Sequence, residues 1–310
     1  MALFALALLG ITLTLGVTAG PLLERGQWAV HQPGTALICW ISGLIGIMAA
    51  AVGLLALALL WPPAPLHELL ERWHECLPHH PRAGLIAASV ATAALLAGCY
   101  HRLSVGIPRV CRAVFHRRRH REMVSLVARQ DAEHLDVLVL DHPVPVAYCI
   151  PSRHRSIVVS RGTRDRLDPD HMAAVLAHER THLRQRHHLL LLLLDLMHSL
   201  LPWLPTVRRA QTRIPQLLEM IADDAAVRRH GPGPLAEALR RLVPLPGPAG
   251  TLAATGPCES LLAHRLTRLE AAPGSHPRGV RALGWVTAAC TTAGSLSLVA
   301  IALAAVPAPC

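Results

Sequence analysis

The sequence predicts a mainly α membrane protein: about four transmembrane helices, with a cytoplasm-facing α+β domain made of a short sheet and a histidine-bearing helix. Three observations predict it. Hydrophobic residues make up 52% of the 310-residue chain, charged residues only 16%, and mean hydropathy is +0.37, which does not describe an ordinary soluble domain. Four apolar stretches approach or exceed the roughly 20 helical residues that cross a hydrocarbon core. Between the third and the fourth lies the most polar region, which carries Asp168-Pro169 and then His178-Glu179-Arg180-Thr181-His182.

The apolar stretches are Ala2 to Ala19, Thr35 to Trp61, Ala83 to Tyr100 and Ala282 to Val306. Val17-Thr18-Ala19 resembles a small-residue cleavage site, but no positive charge precedes the first apolar run, so it reads as a retained span. Arg102, Arg109, Arg112, Arg117, Arg118, Arg119 and Arg121 follow the third span with no acid before Glu122. The positive-inside rule puts that loop in the cytoplasm. An outside N-terminus, an inside loop from Pro21 to Gly34 and an outside loop from Pro62 to Arg82 follow. The last of these fits, because it sets Glu68, Glu71 and Glu75 against Arg72 and Arg82.

All 30 basic residues are Arg, a bias of genomic composition, so the net charge of +10 says little about partners. The Arg-rich run holds a single aromatic, Phe115, and abuts a membrane segment. Membrane lipids are therefore its expected partner, and no direct nucleic acid is expected. The eight cysteines are scattered without a CxxC, so neither a disulfide framework nor a thiolate metal site is readable. The spans hold almost no ionisable groups, which argues against a transporter. The expected boundaries are a membrane domain over 1–121, a polar domain over 122–279 and a terminal span over 280–310, with Pro244 to Pro257 as a flexible linker.

Within the polar domain, Asp136 to Leu140, Val144 to Ile150 and Ser156 to Ser160 are short Val, Leu and Ile runs separated by Pro, Ser and Arg, and they predict a small sheet. A helix start follows. Leu167 can staple to Met172, Asp168 is the N-cap, Pro169 takes the first helical position and Asp170 lies in the first turn. Met172, Val175, Leu176 and Leu183 form its buried stripe.

His178 and His182, at i and i+4, project from one face of that helix and can reach a single zinc ion (Zn2+) at about 2.0 to 2.1 Å from each nitrogen. Glu179 leans toward the open side, where it can take a proton from metal-activated water as general base and pass it to a leaving amine. Composition alone gives about 0.05 accidental matches to this pattern in the chain. A third protein ligand is needed, and the acids that follow are Asp195, Glu219, Asp223 and Asp224. Glu219 and Asp223 share one helical face, so Glu219 can close the metal shell while Asp223 orients a ligand histidine from the second shell. His171 lies about 10 Å along the axis from His178, too far to join it. His187 and His188 fall off the ligand face and are expected at a surface or interface. His264 and Arg265 are candidate oxyanion donors.

These residues resemble the BlaR/MecR-type membrane metallopeptidase family, distantly related to the HtpX and CAAX prenyl proteases. The resemblance runs from about Val144 to Leu269, through the short strands, the His178 to His182 helix, the hydrophobic continuation to Trp203 and the Glu219 to Asp223 motif. It implies a zincin-like metalloprotease domain of gluzincin type, with Glu219 as third ligand and Asp223 in support. It also implies that the strand around Ala147 to Ile150 receives an extended substrate by backbone pairing. Arg180-Thr181 departs from the small or apolar pair usual there, and the penicillin-binding sensor domain of the antibiotic-sensing members does not follow the last span. Leu189 to Pro205, with Asp195, His198 and two prolines, cannot cross the membrane once without parting Glu219 from His178. It is expected to dip into the interface or form a buried hairpin, with Asp195 satisfied by protein or interfacial water.

The expected function is a multi-pass cell-membrane zinc endopeptidase with its active site on the cytoplasmic side. Its partner would be a protein or peptide substrate, such as a transcriptional repressor in signal transduction. The rival reading is a non-catalytic signalling or scaffold protein with a structural zinc site.

Overall fold

A computed structural model describes residues 2–25, 28–60, 81–150, 156–242 and 257–271. The expected fourth span, most of the Pro62 to Arg82 loop and most of the Pro244 to Pro257 linker lie outside these residues. The described residues fall into two compact units: one draws on residues before 110 together with 194–213, the other on residues within 110–193 and 214–271.

In the first unit, α1 (Ala2–Thr14) continues through a π-helical turn (Leu15–Ala19) into α2 (Gly20–Glu24), and both pack on α4 (Pro33–Leu60) beside the short α3 (Trp28–His31). Leu8, Ile47 and Ala50 are fully buried between them. The π-turn has a local cause. The Thr206 hydroxyl donates to the Leu15 carbonyl at 2.9 Å and accepts from the Gly20 N–H at 2.9 Å, so a side chain inserts into the backbone ladder. Gly20 permits this, because a Cβ there would lie 2.9 Å from Thr206 Cα. Ala7–Glu24 and Pro33–Leu57 are long and apolar enough to cross a membrane. The expected third span, Ala83 to Tyr100, is the first part of α5 (Pro81–Val127).

Across Leu189 to Pro205, expected as an interfacial dip or a buried hairpin, the chain forms two helices joined by a turn. α8 (His187–Leu200) ends at Leu201, the chain turns, and α9 (Pro205–His230) begins. Within the first unit, Gln211 Nε2 donates to the Leu194 carbonyl at 3.1 Å and approaches Asp195 Oδ1 at 3.5 Å. Asp195 thus meets a protein donor, although its side chain is exposed.

The second unit holds a four-stranded mixed sheet in the order β1-β2-β4-β3: β1 (Arg129–Gln130), β2 (Val137–Leu140), β3 (Ala147–Ile150) and β4 (Ser156–Ser160). β2 and β4 are parallel and the outer pairs antiparallel. β4 is interior and buried on both faces, which accounts for its unbroken Ile157-Val158-Val159 run. Ile157 and Val159 meet Leu176 and Leu183 of α7 (Pro169–Arg184), whereas Val158 faces Val124 of α5. β3 is an edge strand, paired to β4 alone among the described residues.

α6 (Arg161–Arg166) is capped by Ser160, whose Oγ accepts from the Thr163 N–H at 3.2 Å. At the start of α7, Pro169 stands in the first turn as the sequence places it, and Leu167 and Met172 share one apolar cluster. Asp168 has the extended backbone of an N-cap but makes no side-chain cap bond. Its carboxylate is drawn away to Arg241 Nη1 at 2.9 Å and His171 Nδ1 at 3.2 Å. α10 (Pro232–Leu242) packs on α7, and α11 (Pro257–Glu270) packs on α10.

Candidate metal centre

α7 carries both histidines of the pentapeptide, and its depth beneath the sheet and α10 sets their exposure. His178 is 6% exposed and Thr181 fully buried. The intervening Arg180-Thr181 anchors the helix. Thr181 Oγ1 donates to the Ala177 carbonyl at 2.9 Å, and the Arg180 guanidinium makes a bidentate pair with Asp136 at 2.7 and 2.8 Å, tying α7 to the residue just before β2.

The Nε2 atoms of His178 and His182 are 3.1 Å apart. From α9, Glu219 places Oε2 3.4 Å from His178 Nε2 and Oε1 3.4 Å from His182 Nε2. His178, His182 and Glu219 thus bring one ligand atom each to a common point. Two ligands about 2.0 to 2.1 Å from a tetrahedral zinc lie about 3.3 to 3.4 Å apart. The two nitrogens at 3.1 Å, with a different Glu219 oxygen 3.4 Å from each, stand close to that spacing, and the three ligand atoms lie within 4.8 Å of one another.

Behind these atoms, Asp223 lies one turn beyond Glu219 and is 1% exposed. Its Oδ1 is 3.0 Å from His178 Nδ1. The imidazole nitrogen is off the line of a well-directed hydrogen bond, so this is an ion-pair contact first. Arg265 of α11 approaches from the other side, with Nη1 2.9 Å from Glu219 Oε2 and a bidentate pair to Asp223. His264, beside it, is exposed. Of the two proposed oxyanion donors, only Arg265 is at the site.

The charges are mutually dependent. Burial opposes a proton on His178, but its contacts with Asp223 and Glu219 outweigh that and raise it to about 9. Burial and the neighbouring His178 push His182 down to about 4. Burial would raise Glu219 and Asp223, yet His178 and Arg265 hold each at about 2. In the metal-free chain one proton therefore stands on His178 where a cation would otherwise sit. Glu179, which points to the same space, is raised by burial to about 7 despite the opposing charge of His178. That is the range a general base needs near neutral pH.

Residues 115–265 match the model of peptidase family M48. The M48 match supports a metallopeptidase, and peptidases of that family are zinc enzymes. It supports the zinc-metallopeptidase part of the sequence reading and leaves the BlaR/MecR-type part, the signalling role and the membrane topology without support. No curated protein and no solved structure matches the chain.

Around the metal point a cavity of about 420 Å³ opens. Its lining includes β3 from Ala147 to Cys149 and the apolar side chains of Val175, Leu235, Leu239 and Leu242. Cys149 lies within hydrogen-bond reach of Glu179, and burial pushes its thiol up to about 12. His171 is remote from the metal point, as its spacing requires, and pairs with Asp168. His188 is half-buried, and Arg117 Nη1 approaches its carbonyl at 3.4 Å.

One expectation about the histidines is overturned. His187 is neither on the surface nor off the site: it is 2% exposed and its Nδ1 lies 2.8 Å from His182 Nδ1. Helical periodicity misplaces it because α7 ends at Arg184 and the chain turns through Gln185 and Arg186 before α8 starts. The signal is the end of the helix, not the spacing.

Proposed function

We propose that the chain is a membrane-embedded zinc-dependent endopeptidase that hydrolyses peptide bonds of a protein substrate. The observation that carries it is the convergence of His178 Nε2, His182 Nε2 and the Glu219 carboxylate at 3.1 to 3.4 Å, with Glu179 facing the same cavity. His178, His182 and Glu219 hold the metal, Asp223 orients His178, and Glu179 is the general base. Bound zinc supplies Lewis-acid polarisation of the scissile carbonyl and acidification of water.

The chain's own residues do the rest. β3, an edge strand among the described residues, takes an extended peptide by backbone pairing, which lays the scissile bond across the cavity. The apolar part of the lining accepts an apolar side chain of that peptide. Glu179, held near neutrality, accepts a proton from the attacking water and returns it to the leaving nitrogen, so the amine departs neutral. Arg265 keeps Glu219 and Asp223 ionised while the substrate excludes water. The Arg-rich part of α5 and the two apolar N-terminal helices support a site at the cytoplasmic face of a membrane, where a membrane-proximal regulator or repressor is the proposed substrate.

The test is zinc content and peptidase activity of the full-length chain beside Glu179→Gln. One zinc per chain in both, with cleavage in the wild type alone, is the expected result. Equal activity of the two proteins refutes the catalytic assignment.

A further inference from the structure

His187 is a buried polar group for which the proposed chemistry has no use, yet its contacts are specific. Its Nε2 lies 2.9 Å from Gln185 Oε1 and its Nδ1 lies 2.8 Å from His182 Nδ1. An amide oxygen only accepts, so in the neutral ring the hydrogen of His187 is on Nε2. His187 Nδ1 is then an acceptor, and the hydrogen in the 2.8 Å contact belongs to His182 Nδ1. The consequence falls on the other nitrogen of His182. Its Nε2 carries no hydrogen and presents a lone pair to the point it shares with His178 Nε2 and Glu219 Oε1.

The backbone makes this arrangement possible. Arg186 has φ 52, the single positive φ at a non-glycine among the described residues. L side chains rarely adopt that conformation. It is braced on both sides: the Arg186 N–H reaches the Leu183 carbonyl at 3.3 Å and its own carbonyl accepts from the Leu189 N–H at 2.9 Å. This turn ends α7 two residues after His182 and folds the first residue of α8 back against it. Strain of this kind is retained where the surrounding structure over-determines it.

We propose that His187 is a positioning residue for the metal ligand His182, setting its tautomer and ring plane through an acceptor at Nδ1, with Gln185 in turn setting the tautomer of His187. The inference rests on the zinc reading of His178, His182 and Glu219. Outer partners of this type matter to affinity because a ligand histidine with the wrong tautomer, or a free-swinging ring, must be reset before it can bind.

The experiment titrates the full-length chain in detergent with zinc against a competing chelator, and records the metal-free thermal midpoint of each variant. His187→Leu weakens zinc binding on the order of 10- to 100-fold. His187→Asp restores most of that loss, because a carboxylate oxygen can take the place of the ring Nδ1 and only accepts. Gln185→Lys, at an exposed position, replaces the acceptor by a donor and weakens zinc several-fold even if His187→Leu does not fold. A side chain that merely fills space would give Leu and Asp equal effects on zinc and leave Gln185→Lys at wild-type affinity, and either result overturns the proposal. Wild-type protein that takes up no zinc defeats the metal reading itself; zinc-binding wild type with unchanged variants defeats the positioning role alone.

Discussion

Arg265 grips Asp223 with two parallel contacts, Nη2 to Oδ1 at 2.6 Å and Nε to Oδ2 at 2.9 Å, while the same guanidinium reaches Glu219. One cation thus pairs with two carboxylates, half-buried Glu219, proposed as a metal ligand, and buried Asp223, proposed as its support. Removing it leaves His178 as the cation that still touches both carboxylates. Arg265→Leu is expected to destabilise the metal-free polar domain by about 3 kcal/mol, with much of the loss recovered on adding zinc, whose charge substitutes for the guanidinium. Thermal unfolding with and without zinc checks this. An equal loss in both states contradicts it.

The same contacts predict how stability depends on pH. Asp223 and Glu219 are held at about 2, below their ordinary values of 3.8 and 4.5, so they stabilise the fold above about 4.5 and lose that contribution as pH falls toward 2. His178 is raised from 6.5 to about 9, so its contribution is complete below 6.5 and lost as pH rises through 9. Between pH 4.5 and 6.5, His182 and His187, both lowered from 6.5 to about 4, withdraw stability as pH falls and together outweigh Glu179, which, raised from 4.5 to about 7, withdraws it as pH rises; the metal-free chain should therefore be most stable near pH 6.5. Zinc should remove the alkaline decline, since the ion takes the place of the His178 proton. Denaturant midpoints across pH, with and without metal, measure both limbs; an alkaline decline unchanged by zinc would count against the shared position.

Gly162 sits at the start of α6 with no room for a side chain. A Cβ there would lie 2.0 Å from the Pro143 carbonyl oxygen, and the Gly162 N–H already donates to the His142 carbonyl at 3.0 Å. Gly162→Ala must therefore push away the segment leading into β3, the proposed substrate edge. A loss of roughly 1 to 3 kcal/mol is expected from such overpacking, together with a raised KM. Wild-type stability and kinetics would show that this segment yields freely.

Cys149 lines the cavity, but its thiol is pushed up to about 12 by burial, with the charge of Glu179 adding to the effect. The thiolate is the reactive form. At pH 8 in the native state, iodoacetamide should label the exposed Cys111 and spare Cys149, as read by peptide mass spectrometry. Rapid labelling of Cys149 would mean that its surroundings are more open or more positive than they stand here.

Most of the candidate site was legible because helical spacing is a local property. His178 and His182 converge as i and i+4 on α7 require, and Glu219 and Asp223 do so on α9. Pro169 and Leu167 likewise mark the start of α7 without help from the rest of the chain. The failures lie where a position depends on a break or on a distant partner. His187 escaped because the turn at Arg186 cancels the helical phase, and β1 because two residues carry no periodicity. Asp168 reads as a side-chain cap in isolation, but Arg241, far along the chain, takes its carboxylate. Arg265 could be named as a candidate, yet only tertiary packing separates it from exposed His264.

The central claim is peptide-bond hydrolysis at this centre with Glu179 as its base. It is tested most directly by mapping protein N-termini in cells that express the full-length chain or Glu179→Gln at equal level, with zinc content measured on both purified proteins. The account predicts a set of new N-termini that appear with the wild type alone, apolar residues recurring at one position beside the cleaved bond, and one zinc per chain in each protein. Identical sets of N-termini in the two, at equal zinc content, would contradict it.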